Sequence, residues 1–103
     1  MNPFDYVGVS DADDALRQKQ RVDSRFLAGG TTQIDLMKCD VEQPAALIDI
    51  NQLEEMREIA FTADTLRIGA LARMSEVENH PECQQNAPAI YDSLWQAASP
   101  QLR

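Results

Sequence analysis

The segment from Arg25 to Lys38, RFLAGGTTQIDLMK, constrains the fold of this chain more than any other stretch. Its apolar start predicts a strand over residues 25–28, and two glycines and two threonines lead from that strand into an amphipathic helix over about residues 32–40. Glycine lets a backbone approach a ligand closely, and the first N–H groups of a helix have no partner within the helix. The segment therefore predicts a strand, a turn and a helix start that suit a phosphate or diphosphate group.

The same segment has a plainer interpretation, which is a tight connection between a strand and a helix. Paired glycines are common in turns, and Thr31 or Thr32 would serve as the N-cap of the helix. A short glycine motif does not choose between the two interpretations by itself.

The rest of the chain predicts a small α+β domain. We expect residues 1–9 to be extended or irregular, followed by a helix over 11–21 capped by Ser10 and a strand over 46–50. The second half predicts a hairpin of strands at 57–61 and 66–70, a short helix opened by a capping box at Ser75, and a last helix over 88–98. The apolar strand at 46–50 fits burial in a parallel sheet beside the strand at 25–28. The predicted fold is a small, mostly parallel sheet with flanking helices, plus an antiparallel hairpin.

Two apolar stripes predict where the helices face the core. Ile34, Met37 and Val41 recur at a helical spacing, so we expect them on one buried face. Trp95 belongs to a similar stripe in the last helix, and a tryptophan there is expected to anchor the core.

Composition excludes several classes of function. The chain has 103 residues, which predicts a single small domain. Its net charge is −8, and its nine Lys and Arg residues are scattered, so we expect neither nucleic-acid binding nor attraction to an anionic membrane. No apolar run approaches the ~20 residues of a membrane span, and the N-terminus lacks the pattern of a secretory signal. We therefore expect a cytoplasmic protein.

The residues that most often carry chemistry do not form a recognisable group. Cys39 and Cys83 are far apart and belong to no Cys-x-x-Cys unit, so we expect free thiols rather than a disulfide, and no iron–sulfur cluster. His80 stands alone, which indicates neither a metal site nor a catalytic pair. The sequence predicts no catalytic residue and no metal ligand.

Three blocks of this sequence resemble the FAD-binding subunit or domain of the molybdopterin dehydrogenases, the molybdenum hydroxylase family that includes xanthine dehydrogenase and the medium subunit of carbon monoxide dehydrogenase. The blocks are FLAGGTTQIDLMK, then ALIDINQLEEMREI with LRIGALARMSEVENHP, and finally PAIYDSLWQAASPQLR. The resemblance covers about residues 23–103. It implies the N-terminal part of a PCMH-type FAD-binding fold, and a flavoprotein component of a multi-component oxidoreductase.

The resemblance also implies roles for particular residues. Ala28, Gly29, Gly30, Thr31 and Thr32 match the first FAD loop of the family, where backbone amides and a threonine hydroxyl hold the diphosphate. Leu27 and Gln33 flank that loop and are expected to touch the cofactor. Gly69 and Ala70 match a second approach near the flavin. Arg73 lies in the same block, and a surface or interface salt bridge is an equal alternative for it.

The family further implies partners and an electron path. Molybdopterin would lie on a large subunit and 2Fe–2S clusters on a small subunit, and electrons would pass from the clusters through FAD to an acceptor. The second glycine loop of the family, T-x-G-G-N, is absent here, and the family domain is more than twice as long. We therefore expect residues 1–103 to form an N-terminal subdomain, apparently truncated. Two alternatives remain, which are a truncated fragment without functional flavin and a small module that binds another phosphate ligand.

Overall fold

Three parallel strands form the sheet of the N-terminal half of the chain in the computed structural model, which describes residues 1–21 and 23–103. Strands β1 (Asp5–Gly8) and β2 (Ser24–Leu27) each pair in parallel with β3 (Ala46–Asp49), so the order across the sheet is β1-β3-β2. Since all three strands run the same way, their carboxyl ends lie along one edge of the sheet.

The central strand β3 supplies much of the core of this half. Leu47 and Ile48 are fully buried, as is Ala46 at the start of the strand. A strand with neighbours on both sides and both faces covered has a continuous apolar run, which is what this segment shows. The prediction of a buried parallel strand here is confirmed, and the strand ends at Asp49.

Two short helices follow the first two strands. Helix α1 (Ala12–Lys19) comes after β1, and helix α2 (Gln33–Lys38) comes after β2. The cap of α1 is Asp11, whose side chain accepts a 2.7 Å hydrogen bond from the Asp14 amide. The prediction of Ser10 as the cap was wrong by one residue, because Asp11 has the extended backbone that a capping side chain requires.

Helix α2 is shorter than its apolar stripe suggested. Met37 is buried, as predicted, but Val41 is 69% exposed. The helix ends at Lys38, and Asp40 then takes a left-handed conformation with φ of 56°. This turn carries the chain off the helical path before Val41, so the prediction that Val41 shares the buried face was wrong.

The chain divides into two compact units, Met1–Glu54 and Glu55–Arg103, and the sheet described above belongs to the first. A 3₁₀ turn over Glu54–Arg57 spans the boundary. The second unit holds the antiparallel strands β4 (Ile59–Phe61) and β5 (Leu66–Ile68), which confirms the predicted hairpin with shorter strands. Its helices are α3 (Met74–Glu78), α4 (Cys83–Asn86) and α5 (Pro88–Gln96).

The start of α3 differs from the predicted capping box. Arg73 is the N-cap residue, and the Glu76 carboxylate accepts a 3.0 Å hydrogen bond from the Arg73 amide. Ser75 lies inside the helix, so its prediction as the cap was wrong. The acidic partner expected for it, Glu78, is buried and forms an ion pair with Arg103 at 3.2 Å instead.

Trp95 lies on the surface of α5 rather than in the core. Its side chain is 58% exposed, its ring stacks on Tyr91, and the Arg103 guanidinium lies 5.5 Å from the ring centroid. The core of this unit is instead formed by Leu71, Val77 and Cys83. The prediction of a buried tryptophan anchor was wrong because the apolar stripe of α5 faces solvent at this position.

Candidate functional site

A loop of five residues, Ala28 to Thr32, joins β2 to α2 at the carboxyl edge of the parallel sheet. Four of the five residues are exposed, and Gly30 is half-buried. Ligands of parallel sheets bind outside the carboxyl ends of the strands, because the loops there are free to surround them. The structure therefore places the predicted first loop where a ligand site is expected.

The two glycines of the loop have different tasks. Gly30 has φ of 77°, a conformation that side chains with a Cβ rarely adopt, and a Cβ there would lie 3.2 Å from both Ile34 Cγ1 and Leu27 Cδ1. Gly29 has no such strain, and a Cβ there would meet nothing within 4 Å. Gly30 is thus needed for the turn itself, whereas Gly29 leaves open space beside the backbone.

The amide groups of the loop are available to a ligand. Across the described part of the chain, no backbone carbonyl or side chain accepts a hydrogen bond from the amides of residues 28–33. Thr32 occupies the N-cap position of α2 without making a side-chain cap bond. Successive unpaired N–H groups in a turn form a concavity that binds anions. Because α2 has only six residues, these loop amides, rather than a long helix, must supply the attraction.

Several carbonyl groups of the loop, and that of Leu27 just before it, in contrast accept hydrogen bonds. The Ile50 amide donates to the Leu27 carbonyl at 3.1 Å, and the Ile34 amide donates to the Gly30 carbonyl at 2.9 Å. Between them, the Asn51 side-chain amide donates to the Ala28 carbonyl at 2.9 Å. The loop is therefore fixed through its acceptors while its donors stay open.

Gln33, at the start of α2, adds a buried donor to the loop. Its Nε2 atom is out of contact with solvent and has no hydrogen-bond partner within residues 1–21 and 23–103. A buried amide without an acceptor is costly, and the cost disappears when a ligand oxygen accepts the bond. This orphaned donor fits a ligand rich in oxygen atoms, such as a diphosphate.

A series of side-chain hydrogen bonds connects the end of β3 to the loop. The Asp49 carboxylate, at the end of β3, accepts hydrogen bonds from the Tyr6 hydroxyl, the Asn51 amide and the Asn51 side chain. Burial tends to raise the pKa of Asp49, but these hydrogen bonds outweigh it and lower the pKa. The hydrogen bond to Asp49 also raises the pKa of the Tyr6 hydroxyl. Our sequence reasoning missed these residues, although Asp49 ends a buried parallel strand and Asn51 follows it, where site residues are common.

The other predicted cofactor residues, Gly69 and Ala70, belong to the second unit. The Gly69 amide donates to the Glu58 carbonyl at 2.7 Å, and a Cβ on Gly69 would overlap the Met56 carbonyl oxygen. Packing of the chain against itself thus explains this glycine without a ligand. Ala70 is exposed, as is Arg73.

The second unit also has a groove of about 650 Å³ beside the β4–β5 turn, lined by residues 61–66 and 85–87. Its lining includes Asp64 and no Lys or Arg, which does not suit a phosphate group. In the part of the chain that the structure describes, no group of three or more His, Cys, Asp and Glu residues is arranged to hold a metal ion. Cys39 is exposed and Cys83 is buried, and both are free thiols.

Comparison with known proteins gives a consistent result. Residues 2–103 match the family described as the FAD binding domain in molybdopterin dehydrogenase. The chain is 38% identical to the aldehyde oxidoreductase FAD-binding subunit of Escherichia coli (strain K12) over 104 residues, covering 100% of this chain and 33% of the relative. It is 32% identical to the nicotinate dehydrogenase FAD-subunit of Eubacterium barkeri, covering 100% of this chain and 36% of the relative.

A solved structure shows the same fold. Carbon monoxide dehydrogenase from Hydrogenophaga pseudoflava superposes with a TM-score of 0.89 at 32% identity, covering all of this chain and 37% of that chain. The chain thus spans about a third of the length of the relatives it matches. Among the described residues, no helix is both long enough and apolar enough to cross a bilayer.

Proposed function

Because this chain belongs to the family of FAD-binding domains of molybdopterin dehydrogenases, we propose that its loop from Ala28 to Thr32 binds the diphosphate of FAD. The observation that carries the proposal is the row of amides at residues 28–33 that have no acceptor among the described residues, with open space beside Gly29. A diphosphate has several anionic oxygens in a row, and hydrogen bonds to charged acceptors are about twice as strong as neutral ones.

The residues around the loop have complementary tasks in this proposal. The exposed hydroxyls of Thr31 and Thr32 donate to phosphate oxygens, and Gln33 donates through its buried Nε2 atom. Leu27 packs against the cofactor from the end of β2. The contact of Gly69 and Ala70 with the flavin stays a prediction. Of the two, it is Ala70 whose backbone amide has no acceptor within the described part of the chain.

The wider role in our proposal is that of the flavin component of a molybdenum-containing hydroxylase or dehydrogenase. FAD supplies a group that accepts electrons and passes them on, and the protein holds and orients it. The partners are a large subunit with molybdopterin and a small subunit with 2Fe–2S clusters, which deliver the electrons. We place this assembly in the cytoplasm. The relatives support this role through their names as FAD subunits of oxidoreductases.

The test uses Gly29→Ala, with Gly8→Ala as the matched control. Both glycines have free space for a methyl group and neither has a positive φ, so neither change should alter stability by more than a few tenths of a kcal/mol. Only the methyl at Gly29 would obstruct the diphosphate. We expect FAD affinity, measured by titration of the deflavinated full chain, to fall about tenfold or more in Gly29→Ala and to stay unchanged in Gly8→Ala.

Three results would contradict the proposal. An unmodified chain that takes up no FAD would favour a fragment without functional flavin. A chain that binds simple nucleotides as tightly as FAD would favour a general phosphate module. Equal FAD affinity in Gly29→Ala and the unmodified chain would remove this loop from the site.

A further inference from the structure

We propose that Asn51 is a positioning residue that aims the loop amides at the diphosphate. This inference rests on the proposed function, since it explains how the same loop is held ready for FAD. Asn51 lies just beyond the end of β3, and its side chain connects the Asp49 carboxylate to the Ala28 carbonyl, at 2.7 and 2.9 Å.

The first step of the argument is the geometry of the peptide bond. Each peptide unit is planar and trans, so its C=O and its N–H point in opposite directions, and none of the described peptide bonds is cis. The carbonyl of Ala28 and the amide of Gly29 belong to one such unit. When Asn51 holds that carbonyl on the β3 side, the Gly29 amide must point away from β3.

The second step is that the preceding peptide unit is held in the same way. The Ile50 amide donates to the Leu27 carbonyl at 3.1 Å, also from the end of β3. In a regular strand successive carbonyls alternate in direction, but here two consecutive carbonyls are bound from one side. The amides of Ala28 and Gly29 consequently point to the same outer side, which is the arrangement of an anion-binding nest.

The third step is what holds Asn51 itself. The Asp49 carboxylate accepts from both the backbone and the side-chain nitrogen of Asn51, at 2.9 and 2.7 Å, and it also accepts from the Tyr6 hydroxyl. A carboxylate that accepts from the side-chain amide fixes which end of that amide is the donor. The remaining N–H of the Asn51 side chain is thereby directed to the Ala28 carbonyl. Among the described residues, the Tyr6 hydroxyl and the Asp49 carboxylate are connected to the Ala28 carbonyl through the Asn51 side chain.

The test is the isosteric change Asn51→Asp in the full chain. It keeps the size of the side chain, removes both donors and brings a second carboxylate next to Asp49 and the Ala28 carbonyl. The matched control is Gln52→Glu, the same change of amide to carboxylate at the next residue, which is exposed. FAD is titrated into each deflavinated protein, and ADP is measured as a competitor, because it carries the diphosphate without the flavin ring.

We expect Asn51→Asp to weaken FAD and ADP binding by the same factor, roughly ten- to hundredfold, and Gln52→Glu to leave both unchanged. The amide resonance of Gly29 in the protein without ligand should shift in Asn51→Asp and not in Gln52→Glu, which a general loss of stability would not produce. Equal FAD affinity in Asn51→Asp, or a loss for FAD without a loss for ADP, would overturn the inference.

A second variant covers the case in which Asn51→Asp does not fold. Asn51→Ala removes the hydrogen bonds without adding charge, and we expect a smaller loss of FAD and ADP affinity, about three- to tenfold. No loss in Asn51→Ala would likewise overturn the role of Asn51. The proposed function fails separately, since it fails when the unmodified chain takes up no FAD at all.

Discussion

The two units of this chain differ in the surroundings of one glycine each, Gly29 in the first and Gly69 in the second. In the first unit, the loop at Gly29 has open space and a row of amides without acceptors among the described residues. In the second unit, Gly69 is packed against the Met56 carbonyl, and its amide is bound to Glu58. Gly29 thus leaves space that our proposal assigns to a ligand, whereas Gly69 lets the chain pack closely against itself.

The same contrast holds for buried side chains. In the first unit, Gln33 has a buried donor with no partner within the described residues. In the second, the buried Glu78 carboxylate forms an ion pair with Arg103 Nε at 3.2 Å. The Nη1 atom of Arg103 donates to the carbonyls of Trp95 and Ala97. A buried polar group without a partner is uncommon in native structures, so the orphaned Gln33 donor supports the proposed ligand site beside it.

We expect the largest loss of stability from adding a methyl group at Gly69, which is packed against the Met56 carbonyl. In Gly69→Ala the new methyl overlaps the Met56 carbonyl oxygen, and the backbone must move because that atom is not the end of a flexible side chain. We expect a loss of about 3 kcal/mol in the free energy of unfolding, measured by chemical denaturation. Gly8→Ala, where the methyl meets nothing within 4 Å, is the control. A Gly69→Ala protein of unchanged stability would contradict the packing described for this turn.

The next largest loss of stability should come from breaking the buried ion pair of Glu78 and Arg103. Glu78→Gln keeps the shape of the side chain but leaves the Arg103 charge buried without its counter-charge. We expect a loss of about 2 kcal/mol in the free energy of unfolding. Glu82→Gln makes the same change at an exposed carboxylate and should alter stability by only a few tenths of a kcal/mol. If both variants unfold at the same denaturant concentration, the pair contributes nothing beyond a surface charge.

Substitutions in the loop from Ala28 to Thr32 should lower stability less than the two changes above, and they should also lower FAD affinity. Gly30→Ala forces an alanine to φ of 77° and places its Cβ 3.2 Å from Ile34 and Leu27. We expect a loss of about 1 kcal/mol in the free energy of unfolding, together with weaker FAD binding. Gly29→Ala should lose FAD affinity without that loss of stability. Equal losses of stability at both positions would contradict the distinction between Gly30, which the turn requires, and Gly29, which leaves open space.

The sequence predicted the parts of this fold that depend on local pattern. The buried strand at Ala46 follows from a continuous apolar run, and the turn at Gly29 and Gly30 follows from residue types that few other structures need. The hairpin was predicted from alternation, which is also local. These features need no knowledge of what lies far away in the chain.

Most of the failures depend on distant partners. Ser75 matched a capping pattern, but its expected partner Glu78 pairs with Arg103, which is 25 positions further along the chain. Trp95 fits an apolar stripe, yet what covers a helix face is decided by tertiary packing. Asn51 escaped notice because its importance lies in a hydrogen bond to Ala28, which is 23 residues away. Helix α4 was not predicted, since four residues without a side-chain cap carry little signal.

The smallest effect on stability should come from the Tyr6–Asp49 hydrogen bond, which precedes Asn51 in the series of bonds leading to the loop. Tyr6→Phe removes one hydrogen bond to Asp49, and at neutral pH we expect a small loss of stability relative to the unmodified protein. The pKa of Asp49 is lowered in the fold, so this contribution is complete above the ordinary value of about 4 and disappears as the pH falls through the lower folded value. The pKa of Tyr6 is raised, so the contribution also disappears as the pH rises beyond about 10.

The difference in unfolding midpoint between Tyr6→Phe and the unmodified protein should therefore vanish at both ends of the pH range. Tyr91→Phe is the control, and its difference from the unmodified protein should show no acidic limb, because no hydrogen bond of the Tyr91 hydroxyl to Asp49 exists in the described structure. A pH-independent difference for Tyr6→Phe would show that Tyr6 acts through packing alone. In that case, only Asn51 would connect the carboxylate at the end of β3 to the open loop.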